Sequence, residues 1–528
     1  EGQFEVGESE HLDSGRWRRA WICNGALSGA DRCGDGSGEG VGAADRIPVG
    51  PFDTAPVCLS RSRRRTGRNG RLTVRRTRIR GAGMRWLKRL GLGLLVVVLV
   101  LAALWTWSKL RGPTPAQRVA LELLEAPNAF EGRNAFDAIW VLPYDVPDAE
   151  IASVADADMQ AFAEAAREPD GPLVFTSAAR RYPDLKPVRG PVEPCSTGGS
   201  GCLAKVSSAF DDYAALVQAN ARLIERVEAL SAYGHHATRI PGDHRAPIQP
   251  WTLLAWPVTA HAVQFVRGER AEALEATCRD LTTLRRIGAN SDTLIVQTYG
   301  TALATNGYGA LLASMLAEIP RDMPLPAHCE RALESPVAEE ASICPAMRGE
   351  LAWSTGFVRS ARHTYASDPW AWLVFQPDSF RALIAEQMAA PCLVGADTLQ
   401  RDALVVAAAS PRPAWQRIEC VANSLGCVLA DIGDGYVRYA NRALDHRARL
   451  QLLATLAWLR EQPDTGTLAE RIARRPGDLR SPARDITVTA DGRSLEIAQY
   501  DTGYDMSRDA TWSLPLPPYL VESTTTSD

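Results

Sequence analysis

The hydrophobic pattern is dominated by one interval. From Leu90 through Trp107 there are 18 successive uncharged residues, nearly all apolar. A helix of that length spans roughly 27 Å, close to the hydrocarbon thickness of a bilayer. Arg85, Lys88 and Arg89 precede the interval, Lys109 and Arg111 follow it, and Trp86, Trp105 and Trp107 stand where headgroup-level aromatics belong. A soluble core helix of this length would carry a polar stripe, and this one has none. A cleaved signal peptide fits less well, because the segment runs into Leu-Trp-Thr-Trp-Ser-Lys rather than an A-x-A pattern. No cysteine follows that could take a lipid. The pattern predicts an uncleaved transmembrane helix with the lipid bilayer as its partner through Leu90–Trp107.

Beyond it, apolar residues recur at spacings of three, four and seven. Thr114-Pro115 predicts a helix start that runs to Glu125. Lys205–Tyr233 reads as one long helix stopped by Gly234. Trp251–Val266, with a kink at Pro257, then Glu269–Ile287 and Asp292–Ile319 read as helical hairpins joined at Gly268 and Gly288. No 34-residue recurrence marks a repeat protein. Further helices are predicted at Met347–Tyr365, Ser379–Met388, Ala396–Ala409, Pro413–Val428 and Tyr436–Glu461, with a short one ending at Arg474. The period then changes to two. Ile486–Ile497 contains two alternating runs around Asp491-Gly492, which predicts a type I′ hairpin with Val488 facing Leu495 and Ile486 facing Ile497. The predicted fold is mainly α: a transmembrane helix, an irregular helical-hairpin domain over 112–480, and a small C-terminal β-hairpin within 481–528.

Composition changes this picture only at the start of the chain. Glu1–Gly83 holds 15 Arg, no Lys, ten acidic residues and no Met. Its run SRSRRRTGRNGRLTVRRTRIR (Ser60–Arg80) looks like a nucleic-acid arm. The absence of Met before a membrane signal that opens at Met84 instead suggests upstream DNA read through in frame, with no folded domain expected. The remainder carries 43 basic and 52 acidic residues, a balance that does not invite nucleic acid. Only four lysines (Lys88, Lys109, Lys186, Lys205) stand among the 58 basic residues, a codon bias that suggests a high-G+C bacterial genome.

Eight cysteines follow Met84, with no C-x2-C spacing, so zinc is disfavoured and pairing in an oxidising periplasm is expected. Three nearby cations before the span against two after it favour the same orientation only slightly. Cys195 and Cys202 flank a flexible STGGSG loop and form the best candidate pair; Cys329 and Cys344 are the next. On a continuous helix Cys420 and Cys427 would lie about 10 Å apart, too far to bridge. Either Asn423–Gly426 breaks that helix or each finds another partner.

Candidate chemistry is sparse. No H-E-x-x-H, Walker, G-x-S-x-G, S-x-x-K or dinucleotide motif is present. Gly198–Gly201 is Gly-rich but reads as a disulfide loop. His235, His236 and His244 share a loop, where adjacent imidazoles diverge. His261 and His328 are isolated and expected to have local partners, while His363 and His446 are expected at the surface. Glu350, Trp353 and His363 could share a helix face as an acid–base pair. Asp431 and Asp434 lack the ligand count of a calcium loop. No catalytic, cofactor-binding or metal-binding residue is assigned and no cofactor is expected.

RNAFDAIWVLPYDVP (Arg133–Pro147), GCLAKV (Gly201–Val206), RRIGANSDTLIVQ (Arg285–Gln297) and MRGELAW (Met347–Trp353) resemble segments of uncharacterised membrane-anchored periplasmic proteins of high-G+C gammaproteobacteria. That family has no assigned activity, so the resemblance implies an envelope location and carries over no site residue. The expectation is a single-pass inner-membrane protein whose periplasmic body serves as an envelope scaffold or binding protein, with an envelope protein as partner. A periplasmic hydrolase with an unrecognised acid–base site is the alternative, as is an immunity or inhibitor protein against an envelope toxin.

Overall fold

Helix α1, Ala82–Leu110, contains the whole predicted span and keeps its apolar surface uncovered: Leu94 is 67% and Leu101 59% exposed. By length and composition the helix is long and apolar enough to cross a membrane, and its apolar stretch is not buried against the body. In this computed structural model the described residues are 82–167, 173–195, 201–243, 245–365, 370–394, 396–406, 417–431, 435–501 and 511–521. The Arg-rich stretch 1–81 lies outside them.

The body is mainly helical. α2 (Pro115–Glu125) begins with a reciprocal cap: Thr114 Oγ1 accepts the Gln117 N–H, and Gln117 Oε1 accepts the Thr114 N–H at 2.9 Å. The short α3 (Phe136–Trp140) and α4 (Ile151–Ala165) follow. The single helix expected over Lys205–Tyr233 is instead three: α5 (Cys202–Ser208), α6 (Phe210–Ala219) and α7 (Ala221–Glu228). The break at Asn220 has a tertiary cause. Its amide exchanges hydrogen bonds with both backbone groups of Val188, at 2.8 and 3.0 Å, and caps the Leu216 carbonyl. Docking that loop requires a non-helical Asn220, which apolar spacing does not report.

Pro257 produces no kink. It occupies the first turn of α8 (Trp256–Arg267), where its missing N–H is unneeded, and Trp251–Ala255 forms a separate 3-10 turn. Gly268, at φ 104°, ends α8 and leads into α9 (Arg270–Ala289), and the two pack together as the predicted hairpin. α10 (Leu294–Ala302) passes through a π-helical stretch, Leu303–Gly309, into α11 (Ala310–Glu318). Then come α12 (Ala327–Ala332), α13 (Cys344–Tyr365), α14 (Ala371–Val374), α15 (Pro377–Leu393), α16 (Ala396–Gln400) and α17 (Ser424–Asp431). The helices expected at Ala396–Ala409 and Pro413–Val428 are shorter: the first ends at Gln400, with turn and coil over 401–406, and the second begins only at Ser424, after a 3-10 turn at Ile418–Cys420; 407–416 lie outside the described residues. α18 (Tyr436–Glu461) has the predicted bounds and joins two hydrophobic cores. Its Ala440, Ala443 and Leu444 enter one with α13 and α15, while Leu452, Leu456 and Leu459 enter the other with α8, α9 and the sheet. α19 (Leu468–Ala473) closes the helical part.

The C-terminal strands β1 (Ile486–Val488), β2 (Ser494–Ala498) and β3 (Thr511–Pro515) form one antiparallel sheet in that order. Ile486 pairs with Ile497 and Val488 with Leu495, the expected register. The turn differs. Gly492 alone in the loop has positive φ, whereas a type I′ turn would also need it at Asp491. Thr489 instead closes a longer loop, accepting the Ser494 N–H and donating to Asp491 Oδ1 at 2.6 Å. The third strand was not foreseen from the sequence. It is five residues long and ends in Pro515, and it gains its identity from pairing with β2.

Four disulfides tie the body: Cys195–Cys202, Cys278–Cys329, Cys344–Cys392 and Cys420–Cys427. The proposed Cys329–Cys344 pair is therefore corrected. Each of the two joins a residue far along the chain, because α12 packs on α9 and α13 on α15. Cys420 and Cys427 meet at a Cα separation of 5.8 Å because Cys420 lies in a 3-10 turn before α17 starts at Ser424.

Candidate functional site

Among the described residues, one group of His, Cys, Asp and Glu gathers closely enough to hold an ion: Glu228, His261 and Asp280. Glu228 ends α7, His261 lies on α8 and Asp280 on α9. The α8–α9 hairpin brings the last two together. His261 Nε2 is 2.8 Å from Asp280 Oδ2, and its Nδ1 is 3.8 Å from Glu228 Oε1. His261 and Asp280 are 1% and 5% exposed. Tyr308, from the π-helical stretch, tilts against the imidazole at 6.0 Å and donates its hydroxyl to the Leu254 carbonyl at 3.1 Å. Burial holds the Tyr308 phenol well above its usual range, and the charges of Asp280 and Glu228 add to the effect.

The donor set alone suits a transition metal. The geometry does not. Arg279 reaches both carboxylates, with Nε 2.9 Å from Asp280 and Nη2 3.3 Å from Glu228. A cation would have to displace the guanidinium that already spans the two acids. What the cluster does is compensate buried charges, holding three helices in register. His261 thus has the local partner expected of it, but its position inside a charged relay carries no sequence signal: His261 and Asp280 are 19 positions apart.

α7 also lines a pocket of about 200 Å³ with Arg133, Asp148, Arg222, Arg226 and Tyr233. Its cations are largely engaged. Arg222 pairs with Asp145 at 2.9 Å and Glu225 at 2.7 Å, and Arg133 donates to the Tyr233 hydroxyl at 3.2 Å. Arg226 donates to the Val146 carbonyl at 2.6 Å, and burial lowers its pKa. A pocket this size is smaller than the ~300–1,000 Å³ usual for drug-sized ligands. A second pocket, about 150 Å³, lies between α13 and α15 beside Thr355, Asp378 and Arg381.

The histidine loop separates its rings. His235 Nδ1 approaches the Glu131 carbonyl at 3.1 Å, and the ring stacks on Phe130. His236 is buried, 2.9 Å from Gln249 Oε1 and edge-on to Trp251. His244 lies outside the described residues. His328 pairs with Glu275. His446 is not at the surface as expected. It is buried on α18, and burial together with Arg285 and Arg449 pushes its pKa down to about 3. Glu350 lies on α13 and is committed to the start of α10. It accepts the Leu294 N–H at 2.9 Å, at the start of α10, and burial raises its pKa. The His363 side chain lies outside the described residues. Asp431 pairs bidentately with Arg417 at 2.7 and 2.9 Å, and Asp434 falls outside. Gly201 starts α5 at φ 89°, and Gly198–Ser200 likewise lie outside.

The chain matches no protein family, no curated protein and no solved structure.

Proposed function

We propose that the chain is a single-pass inner-membrane protein whose disulfide-tied helical body acts in the periplasm as an envelope scaffold or binding protein. The observation that carries this reading is the junction of anchor and body. α1 leaves its apolar surface uncovered, yet its last turns are bonded into the body: Trp105 Nε1–H donates to the Leu373 carbonyl at 2.8 Å, and Ser108 Oγ accepts the Ala422 N–H at 3.0 Å. A body held rigidly to its anchor suits a presenting surface better than a freely diffusing enzyme. Four disulfides suit an oxidising compartment. The hydrolase reading has less support, because the His261–Asp280 pair is withdrawn from solvent and Arg279 already occupies its carboxylates.

The test is photocrosslinking of the full chain in a gammaproteobacterial envelope from Ile248, 78% exposed, and Val174, 70% exposed, with pull-down from solubilised membranes. A reproducible envelope-protein adduct is expected. Absence of any reproducible partner overturns the scaffold reading.

A further inference from the structure

Two strips of the body beside the end of α1 invert the usual relation between burial and polarity. On α17 the covered residues are small: Gly426, Cys427 and Ala430. The outward ones are large and apolar: Leu425 at 40%, Val428 at 51% and Leu429 at 41% exposure, continuing from Val421 at 45%. No charge falls between Glu419 and Asp431. In the second strip, at α14, Trp370 is 69%, Trp372 54% and Val374 40% exposed, and no charge occurs from Trp370 through Pro377. A water-facing helix would place these residues the other way round.

The strips are fixed to each other and to the anchor. Asn423 Oδ1 accepts the Gln376 N–H at 2.8 Å, and the Cys420–Cys427 disulfide pins the start of α17. Ser108 Oγ donates to the Glu419 carbonyl at 3.2 Å, and Trp105 meets Trp372 edge-on at 5.2 Å. The Lys109 ammonium lies 4.7 Å from the Trp105 ring and 5.0 Å from that of Trp372. Tryptophans with a lysine over them, at the end of an apolar helix, are the chemistry of the headgroup layer. The strips stand at that same level.

We propose that Trp370–Val374 and Val421–Leu429 form a second, interfacial membrane contact, seated in the headgroup–acyl boundary of the leaflet from which α1 emerges. Lipid is the occupant because the strips adjoin the last turns of α1, through Trp105 on Trp372 and Ser108 on Glu419, and their exposed Trp, Leu and Val residues match its chemistry. The inference rests on the anchor reading above. The contact would fix the body's tilt on the membrane, which one helix alone does not.

The experiment places a photoreactive benzoylphenylalanine singly at Leu94, Leu425, Val428 or Val188 in the full chain, reconstituted in nanodiscs of phosphatidylethanolamine and phosphatidylglycerol. Val188, 52% exposed and held at its backbone by Asn220, is the control. Lipid adducts at positions 94, 425 and 428, at least tenfold above position 188, are expected. Adducts at 94 with only control levels at 425 and 428 overturn the second contact and leave the anchor standing. Crosslinked dimers from 425 or 428 in place of lipid adducts overturn it in favour of a second copy of the chain. No lipid adduct at 94 overturns the anchor reading and this inference with it.

Discussion

Arg484 is the residue on which the C-terminal part of the body turns. Its Nε donates to Asp402 at 2.8 Å and its Nη1 to Asp445 at 2.6 Å, with all three side chains almost completely buried. The guanidinium also lies 4.1 Å from the Tyr500 ring. Asp445 accepts the backbone N–H groups of Tyr500 and Asp501, so the cluster joins α18 to the chain leaving β2. Arg484→Met would leave two carboxylates buried without their cation. The expected loss is about 3–5 kcal/mol in urea unfolding. Asp445→Asn in the same background should cost less than it does alone, because Asp445 has by then lost its cation and neutralising it removes an uncompensated buried charge.

His446 makes a pH prediction. Its pKa falls from 6.5 to about 3 on burial. Between those values the unfolded chain binds a proton that the folded chain refuses, so this group lowers stability as pH drops through that window. The slope is up to about 1.4 kcal/mol per pH unit. From pH 7 to pH 5 its share is about 2 kcal/mol. His446→Gln should remove that share, read as a smaller difference between denaturation midpoints at the two pH values. An unchanged difference would show that His446 is not buried neutral. Neither residue was recognisable beforehand: Arg484 sits in an ordinary polar stretch, and a histidine on an arginine-rich helix reads as surface.

At the scale of elements, periodicity reports helices well where one face meets one neighbour. α18 has its predicted bounds, and α2 has its predicted start. Periodicity fails where a polar side chain is recruited from afar, as at Asn220, or where strand pairing creates the element, as in β3. The disulfides follow the same division. Cys195–Cys202 closes a local loop, whereas Cys278–Cys329 spans 51 positions and exists because α9 and α12 pack. On loop-closure entropy, replacing Cys278 and Cys329 by Ala should cost about 4 kcal/mol, against roughly 2–3 kcal/mol for Cys420 and Cys427. Thermal unfolding of the two double variants checks the order. The Cys420–Cys427 variant should in addition loosen α17, read as faster amide exchange over Val421–Ala430.

For the whole molecule, the proposed location rests on the apolar surface of α1. Leaving its Leu and Val side chains in water would cost on the order of tens of kcal/mol. The full chain is therefore expected to resist extraction by alkaline carbonate and to show its eight body cysteines protected from alkylation until reduced. Recovery in the soluble fraction with reactive thiols would contradict the proposed location.

The sequence by itself determined what depends on solvation and on near neighbours: an uncharged span suited to lipid, the mainly helical character, the register of one hairpin and a cysteine pair closed by its own loop. Each follows from interactions within a few residues, or from the medium a segment prefers. The tertiary structure alone decided the partners of Cys329 and Cys344, the buried cluster of Glu228, His261, Asp280 and Arg279, and the burial of His446. It also decided which side of α17 faces outward. These depend on which helices come to lie together, and residues dozens of positions apart leave no periodic trace of meeting.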